Sequence, residues 1–365
     1  MANPKKILLL GEFSNLHNML STSLHEYGID SFVVGSPNGF RGLKADLSLS
    51  SSLPGVFGRA HTAIKPIVNI NKLLDYDVVQ AITYEQFHPI INDSMLKLIS
   101  RFSERFCSLS TGCDSYLNSY LSSDHPYSSI CPDCLQFDQK RSECRTRELN
   151  SVNSQELLYG LSSVIIPMQI EYRESILRTQ FGSKVSHVHR LPFSKPRITN
   201  ALSRRSQRNG TPLKVAHGLN RYGFKGTRIV EDAIKLIHAE KIKGIELTIL
   251  PRMPLDKYLS VISEFDAVVD QLYFESYGYN ALYAMSMGLP VIGSVTDRAL
   301  AEIGVLTNPF VFSPPDTRGL VEVLIQLRDS RAILELHSQM GIEFVDTVHS
   351  PDETVPQFLS TWASI

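Results

Sequence analysis

The chain has 365 residues, 43% of them apolar, with 36 Lys and Arg against 37 Asp and Glu. That length predicts two domains that bury ordinary cores without disulfide support. The apolar content and the net charge of −1 exclude a disordered chain and a bulk basic field for nucleic acid or anionic lipid.

Ile7–Leu10 is too short for the core of a signal peptide, and no stretch approaches the roughly 18 apolar residues that cross a bilayer. Five cysteines, an odd number, argue against a secreted disulfide scaffold. A cytoplasmic protein is expected, host cytoplasm if viral, and peripheral to the inner membrane face at most.

In chain order, Lys6–Leu10 reads as a buried strand ending at Gly11. A helix over 17–27 follows, with Leu16, Met19, Leu20 and Leu24 on one face. Strands are predicted over 31–34, 77–82, 106–110, 163–168 and 185–191, with helices between most of them. This alternation implies a parallel sheet covered on both faces. Residues 193–211 are polar, basic and without apolar period, the signature of a linker. The pattern restarts with strands over 213–218, 245–250, 267–270, 289–293 and 310–312, and a helix over 227–239 with Ile229, Ala233, Leu236 and Ile237 inward. A last helix over 350–365 carries the sole Trp, Trp362. The expected domains are therefore 1–192, with a Cys-rich insertion at 107–144, and 212–349, joined by the linker and followed by the helix.

The first strand ends without G-x-G-x-x-G, and no P-loop is present, so no glycine cradle for pyrophosphate forms there. Gly11 makes a tight turn or lets backbone approach a ligand. The chemistry concentrates later. His217–Gly226 follows a strand, and its Arg221 and Lys225 bracket a glycine turn, a setting that suits a diphosphate or a solvated basic loop. In 266–293, a strand leads to a loop with Glu275 and Gly278, then to a helix from about Asn280 to Met287 and to Gly288–Val291. The N-terminus of that helix offers partial positive charge, Gly278 permits close approach, and Glu275 is suited to sugar hydroxyls.

These two stretches resemble the donor-binding half of GT-B glycosyltransferases, especially glycosyltransferase family 4 and its bacterial surface-polysaccharide relatives. The family pattern is E-x7-E running into G-x-P-V. Glu275 matches the first Glu and Gly288–Val291 the tail, while Tyr283 stands at the second Glu. Arg221 and Lys225 resemble the Arg and Lys that hold the donor diphosphate, four residues apart rather than five. Gly39–Leu49 adds a weaker match.

The resemblance implies an α/β GT-B chain of two facing Rossmann-like domains with an interdomain cleft. It implies retaining transfer from a nucleotide sugar, UDP-linked, with no catalytic metal. Arg221, Lys225 and Glu275 are then catalytic, with Asp114 as a carboxylate near the reacting sugar. Donor contacts are expected from Gly11, His217, Asn220 and Ser276, and from Tyr277, Gly278, Tyr279, Asn280 and Tyr283. The N-terminal domain would take a glycan or lipid-linked acceptor through Glu12, Phe13, Asn15, Glu85 and His88.

Cys131-Pro-Asp-Cys134 has the spacing of half a structural zinc site, which Cys113 and Cys144 would complete, with Cys107 or His125 as substitutes; the spare Cys107 is otherwise expected to be buried. Unrelated reduced thiols are the competing reading. Three other functions compete: a phage-type enzyme glycosylating modified (hydroxymethylated) DNA bases through basic residues at 140–147 and 197–208, a non-catalytic sugar-nucleotide binder, and an epimerase on the same fold.

Overall fold

A computed structural model describes residues 4–35, 45–123, 130–137, 149–195, 212–219 and 221–365. Most of the linker, part of Gly39–Leu49, and the basic residues of 140–147 and 197–208 lie outside them. The chain divides into two compact units, Met1–Tyr120 with Cys144–Ser194 and Ser350–Ile365, and Leu121–Glu143 with Lys195–His349.

The first unit holds strands β1 (Lys6–Leu10), β2 (Asp30–Gly35), β3 (Leu47–Ser48), β4 (Tyr76–Ala81), β5 (Ser103–Ser110) and β6 (Val164–Pro167). Their order is β3-β2-β1-β4-β5-β6, all parallel. Ile7–Leu10 is fully buried, as a strand covered on both faces must be. The helices are α1 (Leu16–Glu26), α2 (Gly55–Val68), α3 (Asn92–Arg101), α4 (Ser115–Ser123), α6 (Leu149–Leu161) and α7 (Ile170–Leu177), with α5 (Ile130–Phe137) between α4 and α6 in the chain. Leu16, Met19, Leu20 and Leu24 of α1 are all buried, as their spacing predicts.

Residues 185–191 do not form the predicted strand. Val185 makes one bridge to Ile165, and Ser186 and His189 N–H groups donate to Ile165 and Pro167 carbonyls. The segment lies along the sheet edge with too few consecutive bonds for a ladder.

The second unit holds β7 (Leu213–Gly218), β8 (Ile245–Leu250), β9 (Ala267–Val269), β10 (Val291–Gly293) and β11 (Val311–Phe312), in the parallel order β11-β10-β9-β7-β8. Its helices are α8 (Tyr222–Lys225), α9 (Thr227–Ala239), α10 (Leu255–Ile262), α11 (Tyr279–Ser286), α12 (Asp297–Ala301), α13 (Thr317–Asp329) and α14 (Arg331–Val348). The last helix, α15 (Pro351–Ala363), returns to the first unit and packs on α1. Strand order reverses between β1 and β4 in one sheet and between β7 and β9 in the other. Open α/β sheets bind ligands outside the carboxyl ends of the strands at such points.

The insertion departs from expectation. Residues 121–143 belong to the second unit, not the N-terminal one, because α5 docks on α8. At Gly223 a Cβ would meet the Ile130 carbonyl oxygen and stand 2.7 Å from Cys134 Sγ, so only glycine admits α5 this closely. Phe137 stacks on Tyr222 at 4.4 Å, and Asp133 accepts from Arg228 Nε at 3.1 Å and from the Tyr273 hydroxyl at 3.2 Å.

Candidate functional site

In the second unit, the switch point is flanked by Gly218 at the end of β7 and Asp270 just past β9. Residues 221–226 are not the open glycine turn expected: α8 is a single helical turn holding Gly223, and Gly226, at φ +66°, ends it and caps α9. Arg221 opens α8 with its guanidinium 3.6 Å above the Phe224 ring, a cation–π contact, and Phe224 stacks on Phe274 at 4.5 Å. Lys225 closes α8 and donates to Asp270 Oδ1. Asn280 Nδ2 donates to the same oxygen at 2.8 Å. Asp270 is 2% exposed, and among the described residues its Oδ2 has no hydrogen-bond partner. Burial and the Asp270 carboxylate push the neighbouring Tyr258 phenol above its ordinary range.

Gly278 precedes α11 in an extended conformation, and a Cβ there would find only Gln271 Nε2 at 3.8 Å. Among the described residues no side chain caps this helix, so its first turn keeps the positive end of the dipole uncovered by a cap.

The other predicted donor residues are placed differently. His217 is fully buried; its Nδ1 donates to the Val269 carbonyl at 3.0 Å and its Nε2 accepts from the Thr227 hydroxyl at 2.9 Å. Burial lowers its pKa to about 4, so this neutral ring ties β7 to β9 and α9. Glu275 is held by Arg298, Nε to Oε2 at 3.2 Å, and by the Thr296 hydroxyl at 3.1 Å. Tyr277 points into an aromatic core with Phe310, Phe344 and His349, its hydroxyl 2.9 Å from His349 Nε2. Ser276, Tyr279 and Tyr283 are buried. Asn220 lies outside the described residues.

In the first unit, a cavity of about 180 Å³ opens at the carboxyl ends of β4 and β5. Phe13, Thr83, Glu85, Cys113, Asp114 and Gln155 are among its lining residues. Asp114 is buried and caps α4: Oδ1 accepts from Leu117 N–H at 2.7 Å and Oδ2 from the Tyr159 hydroxyl at 3.0 Å. Desolvation raises its pKa against those hydrogen bonds. Gln155 is 1% exposed; its Oε1 accepts from Ser115, while among the described residues its Nε2 has no hydrogen-bond partner of good geometry.

Glu12 follows β1. Its Oε2 accepts from Asn18 N–H at 2.8 Å and Nδ2 at 2.7 Å, its Oε1 has no partner among the described residues, and desolvation raises its pKa to about 7. Phe13 packs over Gly112, where a Cβ would lie 2.9 Å from the ring. Gly11, at φ +90°, makes the tight turn, and the Gln86 amide fills the space a side chain would take, so that face is closed to a ligand. Asn15 takes the left-handed conformation before α1, Glu85 accepts from the Ser151 hydroxyl at 3.1 Å, and His88 lies off the cavity lining.

Cys113 lies in the first unit, and Cys131 and Cys134 lie on α5 in the second. Cys144 and His125 are outside the described residues. Among the described residues no group of three or more His, Cys, Asp and Glu is placed to hold a metal ion. Cys107 is buried, as expected.

Sequence reasoning passed over Asp270, Gln155 and Tyr159. A faint signal marks Asp270, the first charged residue after the buried run Ala267–Val269. The other two sit in a helix with no clear apolar period, and nothing local distinguishes them.

No protein-family model and no curated sequence matches the chain. Solved structures do. Sucrose-phosphate synthase from Thermosynechococcus elongatus is similar at TM-score 0.64 and 13% identity, over 99% of this chain and 98% of that one. HepE of Anabaena, solved with UDP and glucose, is similar at TM-score 0.61 and 14% identity, over 99% and 100%. A Listeria monocytogenes protein described as a UDP-N-acetylglucosamine 2-epimerase is similar at TM-score 0.52 and 12% identity, over 100% and 98%. With two parallel α/β sheets in these strand orders, the chain has the GT-B fold.

Proposed function

We propose that this chain is a glycosyltransferase that moves a sugar from a UDP-linked donor to a hydroxyl of a glycan or lipid-linked acceptor, with retention. The observation that carries the reading is Asp270. At the switch point of the second sheet, one of its oxygens holds Lys225 and Asn280 while the other is buried and, among the described residues, lacks a partner. A leaving diphosphate needs a cation, and a sugar or ribose hydroxyl needs an acceptor; Lys225 and Asp270 Oδ2 supply one of each. Arg221 adds a second fixed charge on its aromatic seat. As the glycosidic bond breaks, positive charge develops on the sugar and negative charge on the diphosphate. Donors aimed at the latter are each worth about 3 kcal/mol.

The two HepE structures, one with UDP and glucose and one with UDP-glucose, support the choice of base at the level of fold. For the acceptor, the first-unit cavity has carboxylates and a buried amide and, among the described residues, no Lys or Arg in its lining, which favours a neutral hydroxylated group over a phosphate. A structural zinc, if bound, would take Cys131 and Cys134 with Cys144 and Cys113, and zinc content of the purified protein tests it.

A panel of nucleotide sugars, with and without acceptor glycosides, tests the assignment. The expected result is UDP release coupled to transfer, with the donor configuration kept in the product by NMR. Buried Tyr283 in place of the second Glu favours one other reading, a sugar-nucleotide binder, which binding without turnover on any donor would establish. Epimer formation would establish an epimerase, and salt-sensitive DNA binding with transfer to a modified base would establish a DNA-modifying enzyme.

A further inference from the structure

Two polar groups converge on the switch point of the second sheet with their hydrogen-bonding capacity unfilled. Gly218 ends β7 and Asp270 follows β9, one step past the paired His217 and Val269, so the two lie side by side. Tyr258 of α10 reaches over this strand end. A Cβ on Gly218 would stand 2.8 Å from the Tyr258 hydroxyl oxygen and 2.9 Å from Cε2, so only glycine admits the phenol here. Among the described residues, the Tyr258 hydroxyl and Asp270 Oδ2 are both buried, and neither has a hydrogen-bond partner of good geometry. Each gives up its water on folding without a replacement. The polar groups around them are committed elsewhere. Lys225 and the Asn280 amide both donate to Asp270 Oδ1. Glu275 is held by Arg298 and Thr296, and Tyr283 stands where the family pattern has its second Glu.

The two open valences differ in kind. Tyr258 presents an O–H donor, and the Asp270 carboxylate oxygen is acceptor only. A phosphate oxygen would accept from the phenol but be repelled by the carboxylate, and a cationic group would meet Lys225 beside it. A hydroxyl satisfies both at once. We propose that Tyr258 is a specificity-determining residue that, together with Asp270, closes on one hydroxyl of the nucleotide-sugar donor: the hydroxyl donates to Oδ2 and accepts from the phenol. This rests on the donor reading above. Both atoms are shut off from solvent in the free protein. A diphosphate that draws Lys225 away from Asp270 loosens that closure, so phosphate binding comes before capture of the hydroxyl. Ribose and the transferred sugar each carry hydroxyls a few bonds from the diphosphate, and the experiment separates them.

Tyr258→Phe removes the hydroxyl and keeps the ring. Parent and variant are titrated by calorimetry with UDP, 2′-deoxy-UDP, 3′-deoxy-UDP and the UDP-sugar turned over fastest in the panel. The variant should bind the UDP-sugar about 2- to 12-fold more weakly, the range of one neutral hydrogen bond. If the hydroxyl is the ribose's, UDP weakens to the same extent and one deoxy analogue binds parent and variant alike. If it is the sugar's, UDP binds both alike and only the UDP-sugar weakens. Without ligand, the variant should melt at the parent's temperature or above it, because it loses an unbonded buried polar atom. A lower ligand-free melt would mean that the hydroxyl is already bonded in the free protein, and it overturns the proposal. Unchanged affinity of the variant for the UDP-sugar overturns it too and leaves the donor reading standing. So does equal weakening for UDP and both deoxy analogues, since the phenol would then act on another group. A parent that binds neither UDP nor any UDP-sugar overturns both the proposal and the donor reading.

Discussion

Lys225 donates to Asp270 in the free protein, so an arriving diphosphate draws the ammonium away from a buried carboxylate. This coupling makes the single variant ambiguous and the double variant informative. Lys225→Ala leaves Asp270 buried and uncompensated, a loss of about 3 kcal/mol in stability together with at least about a hundredfold in turnover. Lys225→Ala/Asp270→Asn should recover most of the stability, read by urea unfolding, and none of the turnover. Full turnover in the double variant would remove Lys225 from the reaction.

Glu12 carries the opposite kind of strain. Its folded pKa of about 7 lies above the ordinary value of 4.5, so the folded state binds more protons between those values, and this residue's contribution to stability falls as pH rises from 4.5 through 7. Glu12→Gln should abolish that component, measured as a flatter pH dependence of the unfolding midpoint over the same window.

Among the elements, α5 determines what residues 221–226 become. Docked on Gly223, it turns a stretch that resembles a glycine loop into a helical turn, and it fixes Tyr222 and Arg228 through Phe137 and Asp133. Gly223→Ala overpacks this contact and should cost about 1–3 kcal/mol. It should also raise the labelling rate of Cys134 by thiol reagents several-fold over that of Cys107. Equal rates in variant and parent would mean that α5 docks without help from the glycine.

At the scale of the molecule, the chain leaves the first unit, builds the second and returns with α15. Trp362 is fully buried, and its Nε1 donates to Gln80 Oε1 at 3.1 Å. Gln80 Nε2 donates to His17 Nε2 at 3.3 Å, and His17 Nδ1 to the Gly11 carbonyl at 2.6 Å. The last helix thus reaches the turn after the first strand through buried polar groups. Trp362→Ala should cost about 3–5 kcal/mol and expose the first unit to limited proteolysis before the second.

His17, His189 and His217 share one further property: burial lowers each from 6.5 to about 4. Between those values the unfolded chain binds more protons, so stability falls as pH drops from 6.5 toward 4, by on the order of 3 kcal/mol per histidine. Glu12 and Asp114, both raised by desolvation, contribute in the opposing direction, and three histidines outweigh them. Unfolding midpoints measured from pH 7 to 4 should therefore decline steadily.

The sequence by itself determined the two parallel sheets, because strands buried on both faces must be continuous apolar runs, as Ile7–Leu10 and Ala267–Val269 are. It also determined α1, α9 and the final helix, whose apolar spacing repeats with the helical turn, and it marked Arg221, Lys225 and Gly278 as residues of one sheet edge. Tertiary structure decided what those residues meet. That Lys225 pairs with Asp270, that Glu275 is held by Arg298, that Tyr277 and His217 face inward, and that 121–143 joins the second unit all depend on contacts between residues distant in sequence. The outward apolar face of α2 belongs with them. Periodicity places an apolar stripe on a helix, but the buried Gly58 and Pro66 and the part-buried bond of His61 to Ser51 decide which side meets the protein.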